Sequence, residues 1–198
     1  MILDHLAVAA LSRDAAREHV EAALGLPMQT GGAHPHFATH NHLMGLEDGL
    51  YLEAISIDPA APPPACPRWF DLDSFTGAPR LTNWICQTED ITGLPDDLGV
   101  PVSLARGDLR WDMAVPATGR LPFDNMHPAL ITWHGDLHPA RMLEQVGARL
   151  IHLTVQHPEG GALQTRVGNI PNADVRFEAG APALYAVFDT PHGRRALT

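Results

Sequence analysis

The stretch Asp58–Pro67, DPAAPPPACP, carries five prolines in ten residues. Each proline fixes φ and removes a backbone donor, so this stretch can join neither a strand ladder nor a helix. It reads as a surface connector, and it divides the chain into two halves that must build their elements separately.

The half before it begins with Ile2 to Leu11, apolar apart from Asp4 and His5, which predicts a buried strand with a polar pair near its start. Ser12 is placed as an N-cap with Asp14 in the first turn. Ala16, Val20, Ala23 and Leu24 follow at helical spacing, and Gly25 with Pro27 stops the helix. Beyond a short strand at Met28 to Thr30 and a turn at Gly31 and Gly32, His36 to Leu46 reads as a strand. Glu47 to Gly49 reads as a tight turn and Leu50 to Ile57 as another strand. The order is β-α-β-β-β.

The pattern restarts after the connector: a strand at Leu81 to Thr88, a short helix within Asp90 to Leu98, then strands at Val102 to Arg106, Leu109 to Val115 and Ala129 to His134. A helix is predicted from Pro139 to Gly147, burying Met142, Leu143 and Val146. RLIHLTVQHP then echoes ILDHLAV, and Asp174 to Asp189 offers two more strands, a partial third unit extending the sheet. The expected organisation is a first module over 1–57, a connector over 58–79, a second module over 80–135, and a helix with strand extension over 136–198.

Composition narrows the function classes. Thirteen basic against 23 acidic residues give a net charge of −10. No basic stripe is present, so nucleic acid is not an expected partner. All thirteen basic residues are Arg, and without Lys a Walker A loop, a Schiff-base enzyme and a Lys general base are all excluded. Cys66 and Cys86 form no CxxC pair and no disulfide framework. MILDHLAVAAL lacks the basic start and uninterrupted apolar run of a signal peptide, and no run is long enough to span a membrane. The expectation is a cytoplasmic protein with a small-molecule partner; a homodimer is left open.

Twelve His occur without HExxH or close Cys/His spacing, so a metal site would have to be assembled from distant strands. His5 lies on the first strand of the first module and Glu53, in LYLEAI, on its last. A buried carboxylate needs a cation or hydrogen-bond donors. Their convergence inside one sheet points to a metal; a buried ion pair between Glu53 and an arginine is the structural alternative.

LDHLAVAA, ALGL, GGAHPHFATHNHLMGL, YLEAISIDP and WHGDLHP together resemble the glyoxalase-like domain proteins of the vicinal oxygen chelate superfamily, over roughly residues 2 to 190. The resemblance implies an α+β fold of paired βαβββ modules that form a cupped mixed sheet with helices on its outer face, plus the C-terminal partial unit. It also implies a divalent metal in the cup (Zn, Mn, Fe or Ni) held by the first and last strands of each module. Carried over, the ligands are His5 and Glu53. The second module departs from the pattern, because Trp84 falls where His5 stands and a Trp binds no metal; His134 is the candidate third ligand.

Strand alternation puts His36, Ala38, His40, His42 and Met44 on one face, with Phe37 and Leu43 under the helix. That arrangement gives His40 or Glu53 the proton-transfer role and makes His36 and His42 substrate contacts, with Trp84, Trp111 and Trp133 as apolar walls. The function expected is Lewis-acid chemistry on a small oxygen-bearing substrate, of lyase, isomerase or dioxygenase type. The rival is a metal-free protein that binds or sequesters a small molecule in the same cup.

Overall fold

The computed structural model describes all residues, 1–198. The first module is β1 (Ile2–Ala9), α1 (Arg13–Leu24), β2 (Gln29–His34), β3 (Thr39–Gly45) and β4 (Tyr51–Ile57). The second has strands only: β5 (Arg80–Gln87), β6 (Val100–Arg106), β7 (Leu109–Val115) and β8 (Ala129–Trp133). Together they form one eight-stranded sheet in the order β2-β3-β4-β1-β5-β8-β7-β6. In each module the first and last strands are parallel neighbours, β1 with β4 and β5 with β8, and the modules join through the antiparallel β1–β5 pair. The sheet curls until its two edges meet, where the Arg106 guanidinium on β6 reaches His34 on β2 and Asn41 on β3. Strand twist accumulated over eight strands closes an apolar-lined cup in this way. No helix is long and apolar enough to cross a membrane.

α1 forms where its text requires: the Ser12 side chain accepts from the Ala15 N–H, Gly25 takes the left-handed conformation at φ 72, and Ala16, Val20 and Leu24 are buried. These pack on Leu6, Val8, Met44, Leu52 and Ala54, on the outer face of the first module.

The second module has no matching helix. Within Asp90 to Leu98 only a 3-10 turn forms, Asp96–Leu98, because Gly93, Pro95 and Gly99 leave no stretch for a helical apolar face. Its outer face is covered instead by the C-terminal region. There β9 (Arg149–Gln156), α3 (Gly160–Val167), β10 (Val175–Glu178), β11 (Ala183–Thr190) and β12 (Gly193–Leu197) make a separate four-stranded sheet in the order β10-β9-β11-β12. These strands therefore do not extend the large sheet, as their text suggested. They lay Leu153, Val155, Leu184, Ala186 and Phe188 over Trp84, Cys86 and Leu130 in one continuous core. The wiring also differs, since β10 pairs parallel beside β9.

The helix expected from Pro139 to Gly147 is a single turn, α2 (Pro139–Met142), with Met142 exposed. Beyond it the chain runs on as a strap. Gln29 holds the Glu144 backbone from both sides and Gln145 bridges to Gly45, so sheet-edge bonds win over helix propagation. The connector is likewise more than a surface crossing. Past its prolines, Trp69–Ser74 turns inward and buries Trp69, Phe70 and Leu72 against the cup, with Trp69 stacked on Phe37 at 4.5 Å.

Candidate functional site

The concave face is divided in character. The first module presents His5, His34, Asn41, Tyr51 and Glu53; the second presents Trp111, Met113, Ile131, Trp133 and one cation, Arg106. Leu43, Trp69 and Phe70 complete the lining of a cavity of about 20 Å³. That is little more than the space one buried water occupies.

Asp4 and His5 are consecutive, yet both serve this face. The β1–β5 register shifts between Leu3 and His5, so Asp4 is the extra residue of a β-bulge, which re-aims its carboxylate. Its buried oxygens accept from three rings: His5 Nδ1 at 2.6 Å, Trp133 Nε1 at 2.9 Å and His138 Nε2 at 2.9 Å, the last from the residue that caps α2. Burial alone would raise the Asp4 pKa; the bonds from His138 and His5 outweigh it and hold the carboxyl below its usual range.

His5 stacks on Tyr51 at 4.3 Å and turns Nε2 toward Glu53 Oε2, 3.7 Å away. Burial opposes its charge, but carboxylates on both sides raise its pKa and favour the imidazolium form between two anions. Glu53 is fully enclosed. Burial would raise its pKa, and the contacts of His5, His34 and Asn41 bring it down to about 2. Asn41 gives its amide N–H to Glu53 Oε1 at 2.6 Å and turns its carbonyl oxygen to the Gly32 N–H at 2.8 Å. His34 is neutral, its pKa lowered by burial to about 4; Nδ1 bonds Thr39 Oγ1 and Nε2 accepts from Arg106.

Of the residues singled out in the sequence, His5, Glu53, Trp111 and Trp133 lie in this cup. Trp84 does not: it is fully buried on the opposite face, giving its indole N–H to the Met126 carbonyl. His134 lies beyond the end of β8, half exposed and bonded to Asp112 at 2.9 Å, and is not among the residues that line the cavity. The histidine row is turned the other way. His40 bonds Ser56 Oγ, and His42 lies close to Asp14 on α1. His36 is exposed beside Cys66 in the turn before β3. The cause is that the cup is itself an apolar core. Phe37 and Leu43 face it and Met44 faces α1, so apolar residues do not mark the helix side. The sequence reading missed His34, Asn41, Tyr51, Arg106 and His138. Tyr51 was within its reach, two residues before Glu53 on the same face of a strand.

A divalent cation here would need donors from both modules. In the first module Ala7 pairs with Glu53, and His5 lies two residues earlier. The same step in the second module pairs Gln87 with Ile131 and puts Ile85 two residues earlier. Both isoleucines are buried on the cup face. No three His, Cys, Asp or Glu side chains are grouped so as to hold a metal. His5 and Glu53 are two donors only, and the aliphatic side chains opposite supply none, so this residue set does not fit the cation.

Paired modules sharing a cupped sheet, with a polar centre carried by the first and last strands, define the vicinal oxygen chelate class of architecture. Residues 3–169 match the glyoxalase-like domain family, and the chain belongs to it. A crystal structure of a hypothetical protein from Staphylococcus aureus is similar at a TM-score of 0.62, covering 92% of this chain and 88% of that chain at 14% identity, which shows the fold alone. The comparison with curated proteins finds no match.

Proposed function

We propose that this glyoxalase-like protein works without a divalent cation, binding a small polar organic molecule in its cup against the Asp4–His5–Glu53 line. The observation that carries this reading is the pair Ile85 and Ile131 at the second module's donor positions. Positive charge at the centre is supplied by the His5 imidazolium and by Arg106. Asp4 holds His5 Nδ1 and leaves Nε2 facing Glu53 and the cavity, where its N–H donates a hydrogen bond to the ligand, while the neighbouring Glu53 stays ionised. Trp111, Trp133 and Met113 form the apolar wall opposite.

The competing reading, metal-assisted chemistry, draws on His5 and Glu53 being together in the cup. Elemental analysis of protein purified without chelator, with thermal melts in added Mn(II) or Zn(II), separates the two. The expected result is substoichiometric metal and no metal-induced rise in Tm. Stoichiometric metal that disappears in Glu53→Gln would overturn the proposal.

A further inference from the structure

Arg106 is the one cation the second module contributes to the cup, and no carboxylate lies close enough to form a salt bridge with it. Its Nη1 reaches two neutral acceptors, His34 Nε2 at 3.2 Å and Asn41 Oδ1 at 3.4 Å; Nε and Nη2 have no protein partner. Glu53 is the obvious counter-ion, but Asn41 stands between them, donating to Glu53 and accepting from Arg106. The anion and the cation of the cup are thus kept apart.

The seat of this guanidinium is built rather than incidental. β2 carries a register shift between Thr30 and Ala33 that contains Gly31 and Gly32. A Cβ on Gly31 would lie 2.0 Å from Asn41 Oδ1, and one on Gly32 would lie 2.7 Å from Arg106 Cδ. Neither glycine has a positive φ. Their role is room: they let the Asn41 amide and the Arg106 stem lie flat across the closing edges. A guanidinium with a free donor edge, next to aromatic walls of low polarity, attracts an oxyanion more strongly than the same group in water, and its fork matches two oxygens.

From this we infer that the ligand is a small organic oxyanion whose carboxylate or phosphate head is received by Arg106. The inference rests on the small-molecule reading of the cup. It names the end of the ligand that enters on the second module's side, facing His5 and Glu53 across the cavity. The cavity has room for little more than one water, so the anionic head is received only as the lining side chains move apart, and the ligand is restricted to a small head group on a short body.

Thermal melts of the full chain test it, in acetate, inorganic phosphate, chloride at matched ionic strength, and acetamide as an uncharged isostere. Acetate or phosphate is expected to raise Tm by several degrees above chloride and acetamide, and whichever raises it more identifies the head group. Arg106→Gln is expected to lose the shift, and Arg106→Lys, which keeps the charge and any edge-closing role but not the fork, to retain a reduced one. Anions that act no differently from chloride overturn the inference, as does an undiminished shift in Arg106→Gln. Stabilisation by acetamide in place of the anions also overturns it and leaves the small-molecule reading standing. Stoichiometric metal in the cup removes the reading beneath it.

Discussion

Glu53→Gln separates the electrostatic role of the carboxylate from its volume, because the amide keeps the shape and one acceptor oxygen. In the fold the Glu53 pKa falls from its ordinary 4.5 to about 2. A depressed carboxylate stabilises the protein above its unfolded pKa, and that stabilisation is lost as pH falls through the folded value. The size of the shift corresponds to ~3 kcal/mol near pH 7. Removing the charge also leaves the His5 imidazolium with Asp4 alone. Urea unfolding followed by Trp fluorescence should therefore show Glu53→Gln less stable than wild type by ~3 kcal/mol near pH 7, with the gap narrowing by roughly 1 to 2 kcal/mol near pH 3.5. His5 contributes in the opposite sense: its pKa is raised, so its stabilisation is present in acid and is lost as pH rises through the folded value. Only the acid limb, below about pH 4.5, thus reports on Glu53. A gap that stays constant between the two pH values, or no gap at all, would refute the assignment of Glu53 as a buried anion stabilised by His5 and Asn41.

Two further outcomes follow from packing. Gly31→Ala pushes a methyl onto the Asn41 side chain and backbone, so a loss of about 1 to 3 kcal/mol is expected in urea unfolding. Gly161→Ala in α3, where a Cβ meets nothing within 4 Å, should be neutral or stabilising, and equal effects at the two sites would contradict the crowding argument. Cys86 is buried, and burial pushes its thiol well above the usual range, whereas Cys66 is half-buried beside His36. A thiol reagent should therefore titrate one cysteine in native protein and both in denaturant, and rapid native labelling of two would disprove the buried placement of Cys86.

The modular plan was legible because its signals are local. The Ser12 cap, the Gly25 stop and the prolines of 58–67 each act within a few residues. The strands at Leu109–Val115 and in the RLIHLTVQ segment also fell where alternation placed them. His5 and Glu53 could be paired from text alone, since two polar residues on buried strands of one sheet need one another. Facing was not legible for β3. Period-2 alternation separates two sets of residues without saying which set meets the cup, and here both faces are apolar cores. The bulge at Asp4 was equally invisible, because one extra residue changes no residue type. Arg106 was missed for a third reason: it reaches Asn41 only through closure of the sheet edges, a contact 65 residues apart in sequence. Trp84 was misplaced as a cup wall. The C-terminal sheet that buries it occupies the face a second helix would cover.

In the proposed metal-free cup, protein side chains, His5 and Arg106, supply the positive charge. Titration of Mn(II) into the chain, followed by the EPR signal of the free aquo ion, distinguishes this from a metal-centred cup. The free-ion signal is expected to rise in proportion to added metal, equally for wild type and Glu53→Gln. Loss of signal up to one equivalent in wild type, restored in Glu53→Gln, would contradict it.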